Sequence, residues 1–125
     1  MASLAIATGI DYQLIRKTFQ SLCNTPLPKN KMISILEHFE VGYIEYVRDT
    51  IFPNRVYIVG VPSLNNIFNG RCNGSHAVVF QTYLTDNKGT GINVFDPNKG
   101  LDGAIYYKDF SEIPFWFDVV EIVWG

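Results

Sequence analysis

The hydrophobic positions in the first forty residues repeat with the period of an amphipathic helix. Two helices are predicted, over about residues 1–8 and 12–22, because Gly9 is typical of a helix end and Asp11 of a helix start. A loop with two prolines separates them from a third, short helix, for which Asn30 is the predicted cap. The apolar positions that define these helices are Leu4, Ala5, Leu14, Ile15, Phe19, Leu22, Met32, Ile33, Ile35, Leu36 and Phe39.

After Gly42 the pattern changes to short runs of β-branched and aromatic residues, which are typical of strands. The run at 55–61 is almost wholly apolar, as in a buried central strand, and Pro62 is predicted to end it. Two strands at 76–83 and 91–95, separated by a polar turn, have the pattern of a β-hairpin. Further strands are predicted at 43–48, 104–107 and 116–124, with a helical turn at 109–113 and a polar loop at 65–75.

The order of these elements, helices first and then antiparallel strands, is the α+β pattern. A chain of 125 residues fits a single domain over residues 1–125 and is long enough to bury a hydrophobic core. Nine Phe, seven Tyr and two Trp exclude a chain that is mainly disordered. The predicted fold is therefore a set of N-terminal helices packed on an antiparallel β-sheet.

Composition narrows the range of functions. The net charge is -2 and the ten basic residues are scattered, so a nucleic-acid partner is not predicted. The apolar runs are shorter than the roughly 20 residues that span a bilayer. Because the N-terminus also lacks the basic region of a signal peptide, we expect a cytoplasmic protein with no membrane partner. Cys23 and Cys72 make neither a disulfide framework nor a zinc motif, so no metal and no cofactor is predicted, and the oligomeric state stays open.

A histidine and an aspartate are predicted to meet at one edge of the sheet. His76 begins one strand of the predicted hairpin and Asp96 follows the other, so antiparallel pairing brings the two together. A carboxylate beside an imidazole fixes the imidazole tautomer and stabilises the imidazolium. Such a pair supplies the general base and its orienting residue for a nucleophilic site, but not the nucleophile. The alternative from spacing alone, an edge histidine and an Asp-Pro turn opener, stays open.

Other polar residues near this edge are candidates for lining a cleft. Asn65 can donate a hydrogen bond to an oxyanion and Ser63 lies in the same loop, although turn formation after Pro62 also explains both. Cys72 has the cation Arg71 beside it, which favours a thiolate, but an incidental loop cysteine is the preferred interpretation.

Three stretches, in this order along the chain, resemble the papain-like fold in its compact bacterial and phage form, the peptidase C39-like group. Residues 2–12 (ASLAIATGIDY) are similar to the segment that follows the nucleophilic cysteine in that family, where the cysteine opens a buried helix. Residues 59–65 (VGVPSLN) are similar to the strand and loop before the catalytic histidine. SHAVV at 75–79 and FDP at 95–97 look like the histidine and aspartate strands. The resemblance implies a papain-like domain with His76 and Asp96 as catalytic residues.

The cysteine of that family has no counterpart here, because its position lies upstream of Met1. The resemblance therefore implies a degenerate or N-terminally truncated cysteine peptidase-like protein, with a peptide or protein as substrate, of the kind found in phages or mobile elements. The alternative is a non-catalytic protein on the same scaffold that binds a peptide or a host partner. A third hypothesis is an unrelated α+β protein whose matches are accidental.

Overall fold

The computed structural model describes residues 2–20, 29–46, 50–64, 67–68, 71–72, 75–99 and 105–123. Within these residues the helices come first: α1 spans Ala2–Thr8, α2 spans Tyr12–Thr18 and α3 spans Lys29–His38. The strands that follow are β1 (Gly42–Glu45), β2 (Val56–Pro62), β3 (Ile67–Phe68), β4 (Arg71–Cys72), β5 (Ser75–Leu84), β6 (Thr90–Phe95) and β7 (Phe117–Val123). A short 3₁₀ helix, Phe110–Glu112, precedes β7. The predicted α+β class is confirmed.

Local sequence signals set the boundaries of the first two helices. Gly9 ends α1 with a φ of 75°, in the left-handed region that favours glycine. The side chain of Asp11 accepts hydrogen bonds from the backbone N–H groups of Gln13 (2.7 Å) and Leu14 (3.2 Å), so Asp11 is the N-cap of α2 as predicted. The prediction of Asn30 as a cap is wrong, because this residue lies inside the first turn of α3.

Five strands form one antiparallel sheet in the order β1-β7-β2-β5-β6. β5 and β6 are the predicted hairpin, and β6 ends opposite Val79. The first residues of β5 extend past the end of β6 and pair with β2, where Val61 lies opposite His76. Strand β7 lies between β1 and β2, so the first and the last strand of this sheet along the chain are neighbours.

Some predicted elements differ from the structure. The strand predicted at 43–48 is the four-residue β1, and the described part of the strand predicted at 104–107 has no regular secondary structure. The polar loop predicted at 65–75 contains β3 and β4, which pair with each other as a small separate sheet. Strand length depends on partners that are distant in sequence, so local patterns do not define it.

The sheet separates two hydrophobic cores. Alternate residues of a strand point to opposite faces, and β2, β5 and β7 each contribute side chains to both cores. The helix-side core, which the three helices cover, contains Leu4, Ala7, Ile15, Met32, Ile35, Leu36, Ile58, Val79, Val120 and Ile122. The loop-side core, which the segment before β7 covers, contains Tyr57, Val59, Val61, Val78, Phe80, Tyr107, Ile113 and Val119.

Candidate functional site

The β5–β6 hairpin brings His76 and Asp96 into contact. His76 is the second residue of β5, and Asp96 comes directly after the last residue of β6. The imidazole Nε2 and the carboxylate Oδ1 are 2.6 Å apart, which is a short hydrogen bond. The contact that the hairpin predicts is therefore present, while a catalytic role for the pair stays a prediction.

The carboxylate of Asp96 is buried and satisfied by several donors. Its side chain is 1% exposed. Besides the contact with His76, Oδ1 accepts a hydrogen bond from the backbone N–H of Asn98 (2.9 Å), and Oδ2 accepts one from the backbone N–H of Tyr107 (2.9 Å). Burial, the largest influence, raises the pKa of Asp96, but the hydrogen bonds from His76, Asn98 and Tyr107 together outweigh it and hold that pKa below its ordinary value. Asp96 is therefore a fixed, ionised acceptor at neutral pH.

The hydrogen bond with Asp96 determines which ring nitrogen of His76 can exchange a proton. An ionised carboxylate only accepts, so Nε2 carries the proton of the neutral imidazole. Nδ1 is then the nitrogen that would take a proton from a reacting group. The side chain of His76 is 19% exposed, so it is less enclosed than its partner carboxylate. The imidazole is therefore partly accessible to solvent, whereas the carboxylate that binds it is not.

Tyr107 connects this pair to the rest of the sheet, and sequence reasoning did not identify it. Its backbone N–H contacts Asp96, and its hydroxyl donates a hydrogen bond to the carbonyl of Pro62 at the end of β2 (2.6 Å). The ring is 2% exposed and belongs to the loop-side core. No sequence signal marked Tyr107, because both contacts join segments that are far apart along the chain.

The first turn of α1 lies against the start of β5. Ser3 is buried, and its hydroxyl donates a hydrogen bond to the carbonyl of Ala77, the residue after His76 (2.6 Å). Ala77 precedes the part of β5 that pairs with β6, so Ser3 binds a carbonyl beyond the end of that ladder. The contact fixes the start of α1 within one residue of the histidine, and it commits the serine hydroxyl to a structural role.

The other predicted cleft residues lie partly outside the described structure. Ser63 is buried and follows Pro62, which pairs with the first residue of β5, so it lies at the same end of the sheet as the histidine. Asn65 lies outside the described residues. The backbone of Cys72 pairs with Ile67 in the small sheet, but the predicted role of its side chain falls outside the described part of the structure.

Among the residues that the structure describes, no three His, Cys, Asp or Glu side chains are grouped closely enough to hold a metal ion. The helices in the same part of the chain include none that combines the length and the apolar character needed to cross a membrane.

Comparisons with known proteins add no relative. No family model matches the chain, and no curated protein or solved structure is significantly similar to it. A function is therefore inferred from the geometry of the His76–Asp96 pair and from the resemblance of the sequence motifs.

Proposed function

We propose that this chain is a papain-like protein of the peptidase C39-like type, in which His76 is the base and Asp96 the orienting residue of a thiol hydrolase site. Its substrate class is a peptide or protein. The observation that carries the proposal is the 2.6 Å hydrogen bond between His76 Nε2 and the buried Asp96 Oδ1, at adjacent ends of two paired strands. A carboxylate that is buried, ionised and held by backbone N–H groups is suited to orient an imidazole.

The chemistry of such a site follows from the assigned tautomer. His76 Nδ1 takes the proton of a cysteine thiol, and the thiolate sulfur bonds to the acyl carbon of the substrate. The imidazolium then gives the proton to the leaving amine as the C–N bond breaks. Asp96 stays ionised and stabilises the imidazolium throughout. A water molecule, deprotonated by His76, finally releases the acyl group from the sulfur.

The nucleophile of this site is assigned to neither cysteine of the chain. The hydrogen bond from the Ser3 hydroxyl to the Ala77 carbonyl holds the start of α1 next to His76. This position supports a nucleophile from residues that precede α1. A form of the protein with additional residues before Met1 would supply the thiol. A form without them would retain the His76–Asp96 pair for binding a peptide or partner protein, which is the second candidate function. In either form the Ser3 hydroxyl is not assigned as the nucleophile, because it already donates a hydrogen bond to a backbone carbonyl.

The test uses the protein expressed from its natural locus. We would determine its N-terminus and intact mass, and then measure the rate of alkylation of each cysteine by iodoacetamide. The hydrolase hypothesis predicts one fast-reacting thiol whose rate falls at least about tenfold in His76→Ala, because the imidazole no longer takes the thiol proton. The matched control is His38→Ala. His38 is the other histidine of the chain and is exposed on α3, where its ring contacts Phe19 and Phe39.

The outcomes separate the candidate functions. A fast thiol that His76→Ala slows and His38→Ala leaves unchanged supports the hydrolase. If no thiol depends on His76, but capture of peptides from a defined library is lost in His76→Ala and kept in His38→Ala, the binding function is supported instead. Loss of neither property in His76→Ala would overturn both.

A further inference from the structure

Tyr107 joins three segments at the end of the sheet that carries the candidate site. Its backbone N–H donates to Asp96 Oδ2 (2.9 Å), and its hydroxyl donates to the carbonyl of Pro62 (2.6 Å). Pro62 is the last residue of β2, and the residue before it lies opposite His76 on β5. One side chain therefore links the strand next to the histidine with the carboxylate that binds it.

We propose that Tyr107 is a positioning residue that holds the Asp96 carboxylate in the orientation in which Oδ1 faces His76 Nε2. In this way Tyr107 selects the imidazole tautomer with the proton on Nε2 and keeps Nδ1 available as the base. The importance of that tautomer for chemistry rests on the proposed function. The positioning itself is a property of the fold and is tested separately.

The orientation of the Asp96 carboxylate depends on more than one contact. The terminal torsion of an aspartate is broad, so a single acceptor contact does not fix its plane. Oδ1 of Asp96 has two donors, His76 and the backbone N–H of Asn98, whereas Oδ2 accepts from the backbone N–H of Tyr107. The bond to Oδ2 is the contact that sets the plane of the group, because it acts on the oxygen that His76 does not contact.

The position of that N–H depends on the tyrosine side chain. Residues 105–108 belong to no helix or strand, so this segment is not part of the sheet. The ring of Tyr107 is packed in the loop-side core, and its hydroxyl donates a hydrogen bond to the Pro62 carbonyl. The hydroxyl therefore orients the segment from which the backbone N–H reaches Asp96.

The chain contains a matched control for this hydroxyl. Tyr57 is fully buried in the same core, and its hydroxyl accepts a hydrogen bond from the backbone N–H of Phe52 (2.8 Å). It lies near the start of β2, whereas Tyr107 is bonded to the last residue of that strand. Tyr57→Phe also removes a tyrosine hydroxyl that makes one hydrogen bond to the backbone, without changing a contact near Asp96.

The experiment measures the imidazole tautomer of His76 from its ¹⁵N chemical shifts, together with thermal unfolding. Wild-type protein should show mainly the Nε2–H form. We expect Tyr107→Phe to lower the ratio of the Nε2–H to the Nδ1–H form by about tenfold, the equivalent of one hydrogen bond. Tyr57→Phe should leave that ratio unchanged while it lowers the melting temperature by an amount similar to Tyr107→Phe.

A reference variant distinguishes the failure of this inference from the failure of the proposed function. If Asp96→Ala, which removes both acceptor oxygens, leaves the tautomer of His76 unchanged, the carboxylate does not orient the imidazole, and the proposed function is overturned. If Asp96→Ala changes the tautomer but Tyr107→Phe does not, or Tyr57→Phe changes it equally, the role of Tyr107 is overturned and the proposed function is not.

A second measurement needs no variant, in case Tyr107→Phe does not fold. Hydrogen exchange of the Tyr107 amide in the wild-type protein should be as slow as that of the buried residues of β5, since the N–H is bonded to a carboxylate that is 1% exposed. Exchange at the rate of the exposed β5–β6 turn would contradict the positioning role.

Discussion

Asp96 shows how one buried charge is accommodated in a small fold. A carboxylate without partners is costly to bury, because it loses the hydration that stabilises its charge. Here the charge is met by the imidazole of His76 and by two backbone N–H groups, one from the turn after β6 and one from the segment before β7. The result is a carboxyl group whose pKa lies below its ordinary value although it is buried.

The lowered pKa predicts how stability responds to acid. A folded-state pKa below the unfolded value means that ionised Asp96 stabilises the fold at pH values above its ordinary pKa of about 4. This contribution is lost as the pH falls through the lower pKa of the folded state. Asp96→Asn should therefore lower the free energy of unfolding by about 1–3 kcal/mol at pH 7, because one donor is left without an acceptor.

Urea denaturation of wild type and Asp96→Asn at pH 7 and pH 3 checks this prediction. The difference between the two proteins should be smaller at pH 3 than at pH 7. Asp86→Asn is the control, since Asp86 is exposed in the β5–β6 turn and its replacement should change stability by less than about 0.5 kcal/mol. A difference for Asp96→Asn that is the same at both pH values would contradict the linkage.

At the scale of elements, two aromatic rings pack over glycines in the sheet. The ring of Phe117 on β7 covers Gly60 on β2, and the ring of Tyr83 on β5 covers Gly91 on β6. In both places the ring occupies the space where a β-carbon would lie. The glycine lets the aromatic side chain lie flat across its neighbour, which strengthens the pairing of two strands. The first pair lies close to the site, since Gly60 is also opposite Ala77.

Gly60→Ala tests this packing. The added methyl group overlaps the Phe117 ring, which has to move, so we expect a loss of about 1–3 kcal/mol in the free energy of unfolding. In a Phe117→Ala background the same change should cost at least about 1 kcal/mol less, because the ring is absent. Chemical denaturation of the four proteins in this cycle gives the coupling. Equal costs in both backgrounds would show that the strain does not come from the ring.

At the scale of the whole molecule, one sheet is covered on both faces by different kinds of structure. The three helices pack on one face, and the segment that contains Tyr107 and Ile113 packs on the other. Three strands, β2, β5 and β7, serve both cores at once, so each contains consecutive apolar residues. Because the helix-side core extends from α1 to β7, we expect the helices to unfold together with the sheet.

Substitution of two leucines on neighbouring helices tests which helical positions stabilise the fold. Leu4 on α1 is 2% exposed in the helix-side core, whereas Leu14 on α2 is 49% exposed. Leu4→Ala should lower the free energy of unfolding by about 2–5 kcal/mol, because it removes buried methyl groups and leaves a cavity. Leu14→Ala should change it by less than about 0.5 kcal/mol. Similar losses for both, measured by thermal or urea denaturation, would show that α1 does not pack on the sheet as described.

The candidate site was predictable in part. His76 and Asp96 are twenty positions apart, and the apolar runs and polar turn between them define a hairpin whose two ends meet. Their contact follows from local patterns, because a hairpin is the antiparallel pairing with the shortest connection. Tyr107 did not follow, since its bonds to Asp96 and Pro62 join segments that no local pattern relates. Asn98, in the turn that follows β6, also donates its backbone N–H to Asp96.

Local patterns in the sequence predict the α+β class, the N-cap at Asp11, the helix end at Gly9 and the hairpin that joins His76 to Asp96. Each of these depends on residues close together in the chain, where hydrophobic period and backbone preference act directly. Tertiary contacts place β7 between β1 and β2, put helices on one face of the sheet and the segment before β7 on the other, and bring the backbone N–H of Tyr107 to Asp96. These features come from contacts between distant segments, and such contacts form only when the whole core is assembled.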